Sequence, residues 1–264
     1  MVEYDGAGFH GWQIQTTDRS VQGALETALA RVAAHPISTI CAGRTDAGVH
    51  ATSQVVHFDS PVERSLEAWT RGVNANLPDE VRVLRAVPVP PDFHARFGAL
   101  SRRYRFFLLN RRAPSALHRH RAVHVPRALD VKAMSGAAEI LVGEHDFSAF
   151  RASGCQAAQP VRTVQSLSVR RAGPWVVVEI VANAFLQNMV RIIVGSLMRV
   201  GHAERDERWL ADTLAARDRD HAGVTVPPHG LYLSGVRYEP RFGVPSDITD
   251  DALFSPSSIM IPAC

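Results

Sequence analysis

Lysine is nearly missing from this chain of 264 residues: Lys132 is the single one, so almost all of the 29 basic residues are arginine. Arginine suits bidentate phosphate recognition and stacking on planar groups, although a GC-rich genome produces the same bias. Set against 26 acidic residues it leaves a formal net charge of only +3, which does not by itself demand a polyanionic partner. Cysteine is scarce as well. Cys41, Cys155 and Cys264 form no CxxC or CxxH pair, which argues against a disulfide framework and against structural zinc. No apolar run reaches the roughly 18 residues of a membrane span, and the best one, Trp175 to Leu186, is broken by Glu179 and Asn183. The amino terminus carries no charged-then-apolar signal sequence, so a cytoplasmic protein is expected. Also missing are a GxxxxGKS or GxxxxGKT phosphate loop, a strand-GxGxxG-helix unit and a GxSxG elbow. Their absence removes nucleotide hydrolysis, dinucleotide redox chemistry and the α/β-hydrolase class.

What is present is an ordinary globular composition, 46% hydrophobic and 21% charged, on a length that suits about two domains. In the first half, Met1–Tyr4 begins a strand that Asp5-Gly6 ends. Ser20 caps a helix with Val21, Leu25, Leu29 and Val32 on its apolar side. Ile37–Cys41 and Gln54–Phe58 follow as strands, Leu66–Val73 as a helix and Val81–Val87 as a strand. A proline-bearing stretch, Pro88 to Phe97, leads into the second half. There the expected elements are strand Arg102–Leu109, helix Val131–Leu141, and strands Val164–Val169 and Trp175–Ala182 across Gly173-Pro174. Helices Gln187–Val200 and Arg208–Ala216 and strand Leu231–Tyr238 complete it. Each half reads β-α-β-β-α-β, the second with one extra helix. The expected fold is therefore α+β, with two ferredoxin-like halves whose antiparallel sheets lie side by side or face each other across a basic cleft. The divisions are 1–97, 98–240 and a tail of 241–264 to which no role is assigned.

The densest segment chemically is Gly43-Arg44-Thr45-Asp46-Ala47-Gly48-Val49-His50-Ala51, on a loop at a strand end. Glycines near Asp46 permit sharp turns and a close approach by a partner. Arg44 can hold the carboxylate ionised or meet an anionic group. The same spacing also fits a turn in which Asp46 caps backbone amides and Arg44 is a surface cation. His10, His35, His50 and His57 lack the spacing of a metal site, and no metal is expected. Near the boundary between halves, Phe93-His94-Ala95-Arg96-Phe97 leads into Arg102-Arg103-Tyr104-Arg105-Phe106-Phe107. Strand alternation sets Arg103 and Arg105 on the face opposite Tyr104 and Phe106. Such interleaving provides phosphate contacts and stacking platforms for nucleic acid, and equally describes a core strand with charged outer positions.

In order along the chain, eight words resemble the TruA-type tRNA pseudouridine synthases. They are Glu3-Tyr4-Asp5-Gly6 with Gly11-Trp12-Gln13, the Ala42 to Ala51 loop, Val73-Asn74-Ala75-Asn76-Leu77-Pro78, Phe93 to Phe97 and Arg102-Arg103-Tyr104-Arg105. Phe147-Ser148-Ala149-Phe150-Arg151, the Phe185…Met189-Val190-Arg191…Gly195-Ser196 helix and Gly230-Leu231-Tyr232-Leu233 complete the set. Only Met1 and Val2 precede the first word, where the family carries several more residues of the first strand: either the start codon is misassigned or that strand is shortened. The resemblance implies a cofactor-free homodimer that binds the tRNA anticodon arm and isomerises uridines on its 3′ side. It places the nucleophile at Asp46, with Arg44 pairing to it and helping to displace the base. Tyr104 is implied to stack on the flipped uracil, with Arg103 and Arg105 as substrate contacts and the Leu231 segment as a pocket wall. Two other classes stay open on the sequence: a non-catalytic RNA-binding module, and a metal-dependent hydrolase using His50 and Asp46.

Overall fold

The computed structural model describes residues 1–245. Cys264 and the tail from residue 246 lie outside the described residues.

The strands are β1 (Val2–Tyr4), β2 (Ile40–Cys41), β3 (His50–Gln54), β4 (Val56–His57), β5 (Val81–Val83) and β6 (Ser101–Asn110). They continue as β7 (Val123–Val125), β8 (Gly143–Asp146), β9 (Val161–Ala172), β10 (Trp175–Ala182) and β11 (Leu231–Arg237). The helices are α1 (Val21–Ala33), α2 (Val131–Glu139), α3 (Met189–Gly201) and α4 (Glu207–Ala216), with a π turn at Ala68–Gly72. Nine strands form one sheet in the order β5-β1-β3-β11-β6-β10-β9-β8, with β7 beside β6; β2 and β4 pair apart from it. The fold is thus mixed α and β around a large, mostly antiparallel sheet. Strands from early and late in the chain lie side by side in this one sheet. The seam is parallel, with His50 opposite Tyr232 and Ala51 opposite Leu233.

Alternation along β6 assigns the two faces. Tyr104, Phe106 and Leu108 point into the main core with Val176, Val178 and Ile180 of β10, where Met134 of α2 and Ile192 and Leu197 of α3 cover them. On the reverse face Phe107 and Leu109 join Ala122 in a small separate cluster flanked by Trp175, Val177 and Tyr232. Three expected strands come out shorter. Ile37–Cys41 keeps only β2, and Gln54–Phe58 divides between the end of β3 and β4. Val81–Val87 stops at Val83, whose N–H and C=O are both taken by the Asn74 side chain at 2.7 and 2.8 Å. The expected helix at Leu66–Val73 contains the π turn.

Capping explains where the helices start. Ser20 accepts from Gly23 N at α1, Asp130 from Ala133 N at α2 and Asp206 from Trp209 N at α4. Helix α3 differs: Asn188 precedes it in the left-handed region, with φ 61°, and provides no side-chain cap. No helix among the described residues is long and apolar enough to cross a membrane.

Candidate active site

Because β3 and β11 run parallel, the loop entering β3 and the segment entering β11 meet at one end of the sheet. That loop, residues 42 to 49, is fixed at nearly every position by groups far away in sequence. The buried Arg102 guanidinium donates to Ala42 O through Nε and Nη2, at 3.2 and 3.0 Å. Gln54, also fully buried, clamps Gly43 through both its backbone groups. Thr45 Oγ1 meets the Tyr4 hydroxyl at 2.8 Å, and Trp12 N donates to Thr45 O at 3.0 Å. A Cβ on Gly11 would fall 2.7 Å from Thr45 O, and one on Gly6 2.0 Å from Val49 O. The words Glu3-Tyr4-Asp5-Gly6 and Gly11-Trp12-Gln13 therefore form the cradle of the Asp46 loop.

Asp46 ends up with its side chain 36% exposed, and its Oδ2 lies 3.8 Å from Arg191 Nη1. Burial pushes its carboxyl above the ordinary aspartate range, and Arg191 opposes that shift. Arg191 is anchored rather than free. Its Nε donates to Val226 O and its Nη1 to Asn188 Oδ1, both at 2.8 Å. A cation in the first turn of α3 sits at the positive end of the helix dipole, so those contacts and the Asp46 charge hold it against an unfavourable field.

Tyr104 lies beside the loop, near enough for the Asp46 charge to act on its hydroxyl. Its ring meets Phe185 edge-on, with centroids 4.9 Å apart at 82°. Its hydroxyl reaches within 3.5 Å of where a Cβ on Gly43 would be, and Leu233 Cδ2 within 3.9 Å. Burial and the neighbouring Asp46 charge raise its pKa, keeping the phenol protonated. Among the described residues this hydroxyl has no hydrogen-bond partner.

Of the residues singled out in the sequence, Asp46 and Tyr104 converge. Arg44 lies on the same loop and is exposed, but no ion pair among the described residues joins it to Asp46; the paired cation is Arg191. Leu231 is 5% exposed and opposes Phe106 in the core, so the wall nearest the loop is Leu233, opposite Tyr104. Arg103 and Arg105 occupy the reverse face of the sheet, and Arg105 Nε is engaged by Glu179 Oε2 at 2.6 Å. They are not brought to Asp46. His50, buried beside the loop, accepts from Gly6 N at Nδ1 and donates from Nε2 to the His120 and His229 carbonyls. No cluster of three His, Cys, Asp or Glu side chains that could hold a metal occurs among the described residues.

Sequence reasoning named Arg191 and Arg102 only within longer motifs and Gln54 only as the start of a strand, and gave none of them a role of its own in the site. Arg191 had a signal: it is the one charge between Phe185 and Leu197, in the first turn of an apolar helix.

A protein-family model described as tRNA pseudouridine synthase matches residues 1–98 and 137–239. The tRNA pseudouridine synthase A of Shigella sonnei is 51% identical over 244 residues, covering 92% of this chain and 90% of the relative. The protein of the same name from Shewanella amazonensis is also 51% identical over 244 residues, covering 92% and 94%. At that identity and coverage, with the loop, its cradle and the Arg191 helix all inside the matched segments, the chain belongs to the tRNA pseudouridine synthase family.

Proposed function

We propose that this chain converts uridine to pseudouridine in tRNA, in the anticodon arm, with Asp46 as the nucleophile. The observation that carries the proposal is a carboxylate on a rigid glycine-bearing loop, 3.8 Å from an anchored arginine and beside a buried, protonated tyrosine. The reaction breaks the N1–C1′ bond, turns the uracil and joins C5 to C1′; N1 gains a proton and C5 gives one up. Substrate and product are isomers, so no co-substrate enters the balance and the protein is proposed to work without a cofactor. An ionised carboxylate can add to the nucleoside directly, and the Arg191 charge favours that form of Asp46 against the effect of burial. A cleft that holds the detached base in place supplies much of the acceleration, since positioning is worth about 7–11 kcal/mol in favourable cases.

Reaching a stem nucleotide requires its extrusion, at a few kcal/mol. Arg44, exposed two residues before Asp46, is assigned to the vacated stack and its phosphate. Tyr104, with Leu233 beside it, is assigned to the face of the everted uracil. The RNA contacts first expected of Arg103 and Arg105 are left out of this assignment, because both side chains project from the other face of the sheet. The proposed organisation is two ferredoxin-like halves, 1–97 and 98–240, acting as a cytoplasmic homodimer on tRNA.

Incubation with an unmodified tRNA transcript, followed by mapping of pseudouridine, tests this. Product on the 3′ side of the anticodon arm is expected from the parent, insensitive to chelator. Asp46→Asn and Asp46→Ala are expected to bind tRNA with nearly parental affinity and to make none. Turnover by either variant at even about a hundredth of the parental rate, a barrier difference of only about 2.7 kcal/mol, removes Asp46 from the nucleophile role. Binding without product from the parent itself turns the assignment to a non-catalytic RNA-binding module.

A further inference from the structure

We propose that Gln54 is the positioning residue of the Asp46 loop, acting through the Gly43 peptide and a one-way hydrogen-bond relay from Gln54 to Tyr4 to Thr45. The inference deepens the assignment of Asp46 as nucleophile and rests on it. Nothing about substrate contact is required of Gln54, which is fully buried.

The backbone ladder leading into the loop ends at Ala42, whose N–H reaches Val55 O at 2.8 Å. One residue later the backbone has no ladder partner, and a side chain takes over. Gly43 N donates to Gln54 Oε1 at 3.3 Å, and Gln54 Nε2 donates to Gly43 O at 2.6 Å. An amide N–H can only donate and a carbonyl can only accept, so Gly43 itself fixes which way the Gln54 amide faces.

That orientation has a consequence further on. Gln54 Nε2 also reaches the Tyr4 hydroxyl, at 3.3 Å, and there the tyrosine oxygen must accept. Its single proton is then available to Thr45 Oγ1 at 2.8 Å, and that is the direction the relay takes. Burial raises the Tyr4 pKa, so the phenol keeps the proton it gives. Thr45 Oγ1, on the residue joined directly to Asp46, in turn accepts. Gln54 thus sets both the backbone three residues before the carboxylate and the hydrogen bond received by the hydroxyl immediately before it. Carboxylate placement matters steeply, since a shift of about 1 Å in a reacting group costs on the order of 100-fold in rate.

The test compares Gln54→Met, Tyr4→Phe, their double variant, Thr45→Ser, Thr45→Val and Asp46→Asn, all as full chains with one tRNA transcript. Each of the first two is expected to lower kcat by about tenfold or more while KM stays within about twofold. The double variant is expected to lose no more than about twofold beyond the worse single one, because both break one relay. Thr45→Ser, which keeps the hydroxyl, should hold kcat within about threefold, and Thr45→Val should fall like Tyr4→Phe. Losses that multiply, or KM rising in step with the fall in kcat, overturn the proposal. If Gln54→Met shows no cooperative melting, Gln54→Glu, alone and combined with Tyr4→Phe, reads the same coupling. Turnover by Asp46→Asn overturns the nucleophile reading and this one with it. An inert Asp46→Asn beside a fully active Gln54→Met overturns this one alone.

Discussion

Arg191 Nη1 lies 3.8 Å from Asp46 Oδ2, so the cation paired with the loop carboxylate comes from the far half of the chain. The two charges depend on each other. Burial lowers the pKa of Arg191 and raises that of Asp46, and each partner pulls the other back toward its charged form. Neither side chain is tied to the other by a short hydrogen bond. Arg191 spends its short contacts on Val226 O and Asn188 Oδ1, which leaves the carboxylate oxygens available to an incoming substrate.

The first prediction concerns pH. On the proposed role of Asp46 as nucleophile, turnover needs its ionised form, so activity should fall as pH drops through its raised pKa. Removing the Arg191 charge removes the attraction that opposes the rise. Arg191→Gln should therefore move the acid limb of the kcat profile to higher pH, while Arg191→Lys, which keeps the charge, should move it less. An acid limb at the same pH in Arg191→Gln and the parent means that Arg191 does not set the ionisation of Asp46.

These two residues also show what the sequence made legible. Asp46 stood out because it is a lone carboxylate among glycines on a loop, a local pattern. Tyr104 was readable from strand alternation, and Arg103 and Arg105 on the face opposite it were too. The pairing of Arg191 with Asp46 was not, because it depends on the parallel seam between β3 and β11 and on where α3 begins. The strand β3 was itself hard to see: His50-Ala51-Thr52-Ser53-Gln54 is small and polar, yet central in the sheet, so its burial comes from neighbours and not from its own hydrophobicity. The buried roles of Gln54 and Arg102 were unreadable for a related reason. A buried polar side chain that satisfies a distant backbone carbonyl leaves no periodic signature.

A second prediction uses two glycines with positive φ. Gly11, at φ 95°, backs directly onto the loop, where a Cβ would fall 2.7 Å from Thr45 O; Gly173, at φ 55° in the β9–β10 turn, has nothing within 4 Å. Alanine at either costs backbone strain of about 1–2 kcal/mol. Only at Gly11 must the Asp46 loop also shift. Gly11→Ala should lower both the melting temperature and kcat, whereas Gly173→Ala should lower the melting temperature alone. Equal kcat values for the two variants mean the cradle does not position the loop.

A third prediction separates stability from RNA contact at Arg105. Its side chain is 13% exposed and that of Glu179 19%, with Nε and Oε2 2.6 Å apart. Arg170 Nη2 is 3.9 Å from the other carboxylate oxygen. Arg105→Ala leaves Glu179 under-paired and should destabilise the fold by on the order of 1–3 kcal/mol. The salt dependence of tRNA binding should stay parental. A slope reduced by about one phosphate contact in binding titrations at several salt concentrations means that Arg105 does reach RNA.

The last prediction is a pH dependence of stability at His50. Its Nδ1 accepts from Gly6 N at 3.0 Å, so that nitrogen carries no proton, and Nε2 donates to the carbonyls of His120 and His229 at 2.9 and 3.2 Å. Burial lowers its pKa, with Arg121 acting in the same direction and Asp5, whose Oδ1 is 3.1 Å from Nδ1, opposing. The unfolded chain protonates this imidazole near the ordinary value of about 6.5, while the folded one still resists. Between the two pKa values the unfolded state holds more protons, so stability rises with pH there and is lost as pH falls. His57, His118 and His229 are shifted in the same direction and contribute with the same sign. His50→Gln removes one titration of the set. Its melting temperature is expected to be lower than the parental one at neutral pH, since the Gly6 contact is disturbed. Between about pH 5 and about pH 7.5 it should nevertheless rise less steeply than the parent's. A parental slope, or a steeper one, means that Asp5 wins and the imidazole is charged in the fold, with Nδ1–H donating to the carboxylate instead of accepting from Gly6.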